Sequence, residues 1–319
     1  MDRNAWPRAV IPFALLLGIL AVSTASLFVR FAQRDATSLV IAAGRLGLAT
    51  IVLAPVALIR HRPALRSLTP RDLGLGLLAG VFLALHFASW ITSLEHTSVV
   101  SSVVLVTTTP LWVALLSPLI LREPISRITA AGIALALGGG ALVGIGDAQS
   151  QGGGALAAGA AGLLRGHALR GDALALFGAW MMTAYLMVGR RLRARVALVP
   201  YVFLVYGMAA VVLALAVAAS GQSMGGLTRA AWLWIVLLAL VPQLVGHSTF
   251  NWALRHLPAA LVAIALLGDP VGSAALAFVF LREAPAPLTI LGAGLILIGI
   301  VIASLGAPST RIDESVAST

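Results

Sequence analysis

Four ionisable side chains, Asp269, Arg45, His86 and His247, stand inside long apolar runs, and these are where chemistry is expected. Asp269 lies near the middle of the run 257–281. A carboxylate at mid-membrane costs about 2.5–3.5 kcal/mol even on insertion scales, so it has to be paired, protonated or turned towards water. It reads as a proton site or a ligand for a cationic substrate group, or else as a protonated carboxyl bonded to the backbone carbonyl that Pro270 frees. Arg45 in the run 38–59 and His86 in the run 73–94 lie at similar depth, roughly 10–12 Å in at the helical rise per residue, so the two can meet. Arg45 reads as an anion-binding group or as a side chain snorkelling to the surface. His86 reads as a titrating group or as a neutral imidazole bonded to a neighbour. His247 lies nearer the opposite face.

Two prolines add a second signal. Pro110 and Pro270 lack an amide hydrogen, so the carbonyls of Val106 and Leu266 lose their helical partners. At membrane depth such backbone is tolerated where it is packed in protein or lines a wet cavity. The pair is therefore either a discontinuous-helix site or two packing kinks, with the hydroxyls of Thr107, Thr108 and Thr109 beside the first break. Trp90, Trp180, Tyr185, Tyr206, Phe250 and Trp252 lie in or near the runs, as substrate contacts or as packing and interface-belt residues. Gln243 and Asn251 bond either substrate or another helix. Glu95 and His96 fall at a run boundary and read as solvated. The candidate substrate-binding set is Asp269, Arg45, His86, Trp90, Thr109, Pro110, Pro270, Tyr206, Trp180, Gln243 and Asn251.

The elements that carry these residues follow from composition. Of 319 residues, 60% are hydrophobic and 10% charged, against about a quarter charged in soluble domains. So few charges cannot cover a water-facing surface. That excludes a soluble enzyme, a DNA-binding domain or a disordered scaffold as readings of the whole chain. The formal net charge is +10 and every cation is arginine. The arginines sit in the gaps between apolar runs, where they orient helices rather than bind nucleic acid. No cysteine is present, which removes disulfides, thiolate catalysis and Cys-ligated metals. No Walker loop, zinc-ligand spacing or nucleophile elbow occurs, and Gly74-Leu75-Gly76 follows no strand, so no cofactor and no enzymatic activity are expected.

A span needs about 20 apolar residues. Runs of that kind lie near 9–29, 38–59, 73–94, 98–121, 127–146, 172–190, 198–219, 230–252, 257–281 and 286–306. Arg3 and Arg8 before a stretch ending Ala21-Val22-Ser23 imitate a signal peptide, but the run continues through Phe28 and Val29 and is long enough to span. With the N-terminus inside, fourteen arginines fall on the cytoplasmic side and six outside, which puts both termini in the cytoplasm. Residues 147–171 read as a Gly-rich outer loop, and 307–319 as a polar tail.

Shifted by 160 residues, the chain matches itself: Leu121-Arg122-Glu123 on Leu281-Arg282-Glu283, Thr109-Pro110 on Asp269-Pro270, His96 on His256, Gly18 on Gly178 and Arg30 on Arg190. The unit is five helices, and an odd number enters the second copy from the opposite side, a plan shared by many secondary transporters. Gly268-xxx-Gly272 and Gly140-xxx-Gly144 allow close helix approach.

With a Pro-containing helix, Leu-Arg-Glu and a Gly-rich helix closing each unit (128–143 and 290–302), and with Leu94-Glu95-His96-Thr97-Ser98 matching Leu254-Arg255-His256-Leu257-Pro258, the chain resembles the EamA-type branch of the drug/metabolite transporter superfamily over 9–306. The resemblance implies an all-α membrane protein of ten transmembrane helices in two inverted five-helix repeats, 9–146 and 172–306. It also implies a central cavity and export or uptake of small metabolites, amino acids or drug-like compounds among them, with efflux the expected direction. The expected partners are a small-molecule substrate, protons and the lipid bilayer of the inner membrane, not nucleic acid. The competing readings are an intramembrane enzyme using His86, Glu95 and Asp269, and a channel or structural membrane partner. Reporter tags at residue 155 and at the C-terminal tail are expected on opposite faces of the membrane; tags on one face would break the ten-span plan.

Overall fold

A computed structural model describes residues 10–96, 102, 105–150, 166–276, 279 and 287–306. Among them the chain is helical, with no strand. The helices are α1 (Val10–Ala32), α2 (Ser38–Arg60), α3 (Pro70–Ser93), α4 (Thr109–Ile120), α5 (Arg127–Ser150), α6 (Gly166–Arg193), α7 (Leu198–Ala219), α8 (Arg229–Ala253), α9 in two pieces (Ala259–Ala265 and Gly268–Leu276) and α10 (Pro287–Leu305). Six of them, α1, α2, α3, α6, α7 and α8, are long and apolar enough to cross a membrane. The other four carry shorter apolar stretches. α5 and α6 reach into both ends of the expected connection 147–171. Leu281-Arg282-Glu283, Thr97-Ser98 and the 307–319 tail lie outside the described residues.

Local chemistry sets the helix starts. Thr69 and Asp72 form a reciprocal capping box before α3, with Pro70 in the first turn, where its missing N–H costs nothing. Asp72 also pairs with Arg195 at 2.6 Å, which ties the start of α3 to the α6–α7 link. Thr228 caps α8 by accepting from the Ala231 N–H at 3.1 Å. The α7–α8 link turns through Gly221 at φ 69° and Gly226 at φ 79°, a region that costs glycine nothing. Arg122 takes φ 58° without that freedom, at about 1–2 kcal/mol; it follows the end of α4 and presents Glu123.

Two helices depart from the α pattern. α8 widens to a π-helix over Ala239–His247 around Pro242, and α2 does so over Val56–Arg60 after Pro55. Proline removes a ladder hydrogen bond, and the wider turn lets the chain absorb the loss.

The core sits where α2, α3 and α7 meet, with α6 against α3 and α1 against α8. α4 packs on α6 and on the first piece of α9, the second piece of α9 packs on α1, and α5 packs on α10. The arrangement is twofold: replace each helix by the one five positions later and the pairs exchange or map onto themselves. Individual contacts follow the same rule. A Cβ on Gly18 would meet Thr249 and Phe250, and one on Gly178 would meet Ser89 and Trp90, 160 residues away in each case. The Ser23 hydroxyl donates to the Ile19 carbonyl at 2.8 Å, and the Thr183 hydroxyl donates to the Ala179 carbonyl at 2.8 Å. The outward faces are apolar, with Ile59, Leu119 and Leu305 76%, 79% and 78% exposed, a surface suited to lipid rather than water.

α5 and α10 touch backbone to backbone. A Cβ on Gly299 would lie 2.7 Å from the Ala136 nitrogen and the Gly132 carbonyl oxygen. Gly299→Val is therefore expected to force the helices apart and cost about 1–3 kcal/mol, read as a lower melting temperature of the purified protein, whereas Gly294→Ala, which meets open space, is expected to leave it unchanged.

Candidate functional site

The first helix pair to consider is α2 with α3. Arg45 on α2 is 0% exposed, so it does not snorkel. Its Nε donates to Oε1 of Gln243 on α8 at 2.8 Å, and its guanidinium carbon stands 4.1 Å over the Phe87 ring on α3. Among the described residues no carboxylate pairs with it; the two ion pairs there are Arg190–Glu123 and Arg195–Asp72. Among the described residues its Nη1 and Nη2 have no hydrogen-bond partner, and neither does Nε2 of Gln243.

Phe87 is the hub that the sequence reading missed. Arg45 lies on its face, His247 meets its edge at 5.2 Å, and His86 is tilted against it at 4.9 Å. His86 and Arg45 thus share one ring. His86 is also fixed from α6, with Nδ1 at 2.9 Å from the Gly178 carbonyl, and it stacks on Trp90 at 6.3 Å. The indole Nε1 of Trp90 is buried with no partner among the described residues.

The π segment of α8 delivers Gln243 and His247 to this cluster. The Gln243 carbonyl accepts the Ser248 amide within the π segment, and the Tyr206 hydroxyl from α7 and the Ser248 hydroxyl reach the same oxygen at 3.4 Å. From Tyr206 a buried network continues: Asn251 Nδ2 donates to the Tyr206 oxygen at 3.3 Å, and the Tyr185 hydroxyl donates to Asn251 Oδ1 at 2.6 Å. α6, α7 and α8 are joined through these groups.

Asp269 does not sit in mid-helix. α9 breaks at Leu266-Leu267, and Asp269 opens the second piece, where its partly exposed carboxylate meets the positive end of a helix. Its Oδ1 accepts from the Ser273 hydroxyl at 2.9 Å. The Leu266 carbonyl freed by Pro270 is taken by the Asp269 amide at 3.1 Å, not by its carboxyl.

The matching break holds Thr109 and Pro110 at the start of α4. The Val106 carbonyl freed by Pro110 accepts from the Thr109 hydroxyl at 2.9 Å, and Leu105 accepts from Thr108 at 2.6 Å. Thr109 also reaches the Ala179 carbonyl on α6 at 3.5 Å. Neighbouring Trp180 is 43% exposed and meets Trp112 edge-on at 5.5 Å, apart from the Arg45 cluster.

Each end of the bundle is fastened. Arg190 at the end of α6 donates from Nε to Glu123 Oε1 at 2.6 Å and from Nη1 to the Leu254 carbonyl at 2.7 Å, and Glu123 Oε2 accepts from the Ala259 amide at 3.2 Å. Arg193 beside it is buried, with Nε donating to the Asn251 carbonyl at 2.9 Å. Here burial, followed by the charges of Arg255, Arg193 and Arg190, pushes the His256 imidazole below its ordinary range. At the other end Glu95 is bonded as well as exposed: it accepts from the Ser38 amide at 3.3 Å and from the Ser38 hydroxyl, capping α2. Gln33 donates to the Ile91 carbonyl at 3.4 Å, as Arg193 does to Asn251 at the equivalent positions. A surface cavity of about 470 Å³ lies beside Gln33, Asp35 and Glu95, away from Arg45.

A sequence model of the EamA-like transporter family matches the chain twice, over residues 10–145 and 169–305. The chain belongs to the EamA-like transporter family. It is a multi-pass membrane transporter of the drug/metabolite superfamily. A crystal structure of a protein 20% identical to this transporter superposes with a TM-score of 0.74, over 95% of this chain and 100% of that one, and shows the shared fold. No curated protein matches it in sequence.

In this transporter the polar cluster is where the copies differ. At an offset of 160, Arg45 faces Val205, His86 faces Gly246, Phe87 faces His247, Gln243 faces Leu83, Asn251 faces Ile91, Tyr206 faces Leu46 and Asp269 faces Thr109. That difference between copies was a signal available in the sequence. Tyr185→Phe is expected to leave buried Asn251 Oδ1 short of a donor and to cost about 1–3 kcal/mol, read as a lower melting temperature.

Proposed function

We propose that this transporter moves small organic metabolites, amino acids or drug-like compounds, outward across the cytoplasmic membrane by alternating access. In this reading the ten helices span the membrane as two inverted five-helix repeats, 9–146 and 172–306, with both termini in the cytoplasm. Substrate sits between the halves, and rocking of one half on the other exposes it to each side in turn.

The observation that carries the reading is the Arg45–Gln243 bond inside a buried polar cluster drawn from both halves. α2 and α3 supply Arg45, His86, Phe87 and Trp90; α8 supplies Gln243 and His247. A cluster built this way changes its exposure when the halves move, which a site within one half does not. The Arg190–Glu123 pair, joining α6, the α4–α5 link and the start of α9, would close the cytoplasmic end of the state seen here. The enzyme reading needs His86, Glu95 and Asp269 together, but they are bonded separately to Gly178, Ser38 and Ser273.

Proteoliposomes preloaded with a substrate are expected to show saturable counterflow. A linear, unsaturable flux would point to a pore, and no flux from folded protein for any metabolite class would remove the transport reading. We further assign proton coupling to Asp269. An imposed pH gradient is expected to drive accumulation through the native protein, and through Asp269→Asn only exchange without accumulation; gradient-driven accumulation in that variant would take the proton site elsewhere.

A further inference from the structure

The Arg45 cluster has more hydrogen-bond donors than the protein uses. Both Nη groups of Arg45 and Nε2 of Gln243 are buried with no acceptor among the described residues, and both side chains are 0% exposed. A buried donor left unmet is costly, and more so when the group is charged. The Arg45 cation adds the larger debt of an ion removed from water without a counter-ion, since Asp269 lies beyond ion-pair distance and its Oδ1 is held by Ser273. The face of Phe87 returns only part of that cost.

The geometry of what is left over defines the missing group. Nε is spent on Gln243 Oε1, so the Nη1–Nη2 end of the guanidinium is the free edge. That edge is a planar fork whose natural complement is a pair of oxygens bearing negative charge. Gln243 is oriented by the same bond: its oxygen faces Arg45, which turns its NH₂ donor to the same neighbourhood. The donors come from opposite halves of the molecule.

We propose that Arg45 and Gln243 form a clamp for the carboxylate group of the transported molecule. A carboxylate brings two equivalent oxygens sharing the single negative charge that the fork lacks; an amide of the same acid brings one oxygen and no charge. The bound acid also explains why a buried arginine is kept in a place where an apolar residue would pack more cheaply. The proposal rests on the transport reading for the purpose of binding, not for the binding itself.

The test uses the full-length protein in detergent and small probes carrying little beyond the group in question. Sodium acetate, propionate and benzoate, on the order of tens of millimolar because such small fragments bind weakly, are compared with sodium chloride and sulfate at equal ionic strength and with acetamide, propionamide and benzamide. The carboxylates are expected to raise the melting temperature above the chloride, sulfate and amide samples. Arg45→Met is expected to melt no lower than the native protein without probe and to lose the carboxylate-specific rise. Gln243→Leu and Arg45→Lys are expected to weaken carboxylate binding by roughly tenfold, the loss of one charge-assisted bond or of the fork. If Arg45→Met does not fold, these two variants decide the matter. Amides or sulfate stabilising as well as carboxylates, or carboxylate stabilisation that persists in the variants, would overturn the clamp. Counterflow separates the two claims: carboxylate binding without counterflow sinks the transport reading and leaves the clamp, whereas counterflow without carboxylate-specific binding does the reverse.

Discussion

A fully buried guanidinium held by one neutral hydrogen bond and one aromatic face is the constraint around which this bundle is arranged. Among the described residues no carboxylate pairs with Arg45, so those around it have to keep it oriented without neutralising it. Phe87 does this from α3, Gln243 from α8, and the Tyr206 and Ser248 hydroxyls hold the Gln243 backbone in turn. The geometry is maintained by helices of both halves. A displacement of either half would alter the environment of the charge, the coupling that the proposed alternating access requires.

The irregular backbone serves the same centre. The two breaks at Pro110 and Pro270 are repaired close by: Thr109 and Thr108 supply hydroxyls at the first, and the Asp269 amide caps Leu266 at the second. At membrane depth an unmet carbonyl costs several kcal/mol, so breaks of this kind persist only where partners are at hand. Their effect is to free side chains from the helical register. Asp269 stands at a helix start, and Gln243 and His247 share a turn wider than an α-helix allows.

Duplication explains the economy of the fold. Gly18 and Gly178, Ser23 and Thr183, Pro110 and Pro270 play matched parts because both copies must pack against each other in the same way. The chemical groups sit at positions where the copies have diverged. One bundle therefore has symmetric walls and an asymmetric polar interior, with the buried cation Arg45 on α2, one imidazole each on α3 and α8, and the carboxylate on α9.

What the sequence determined by itself is what composition and periodicity control: a lipid-facing helical chain, the extents of its apolar runs, the 160-residue repeat, and the isolated polar residues that had to be buried. Those follow from residue type alone, because burying a charge or exposing a Leu has a cost wherever it happens. Only the tertiary structure decided that Arg45 is enclosed rather than snorkelling, that it meets His86 through Phe87, and that Asp269 heads a helix instead of interrupting one. Glu123 finding Arg190, and Arg193 buried against the Asn251 carbonyl, were equally invisible, since arginine in a gap between apolar runs reads as an orienting charge. Such facts depend on rotations of helices distant in sequence, and a hydrophobic pattern fixes which residues are buried without fixing which of them touch.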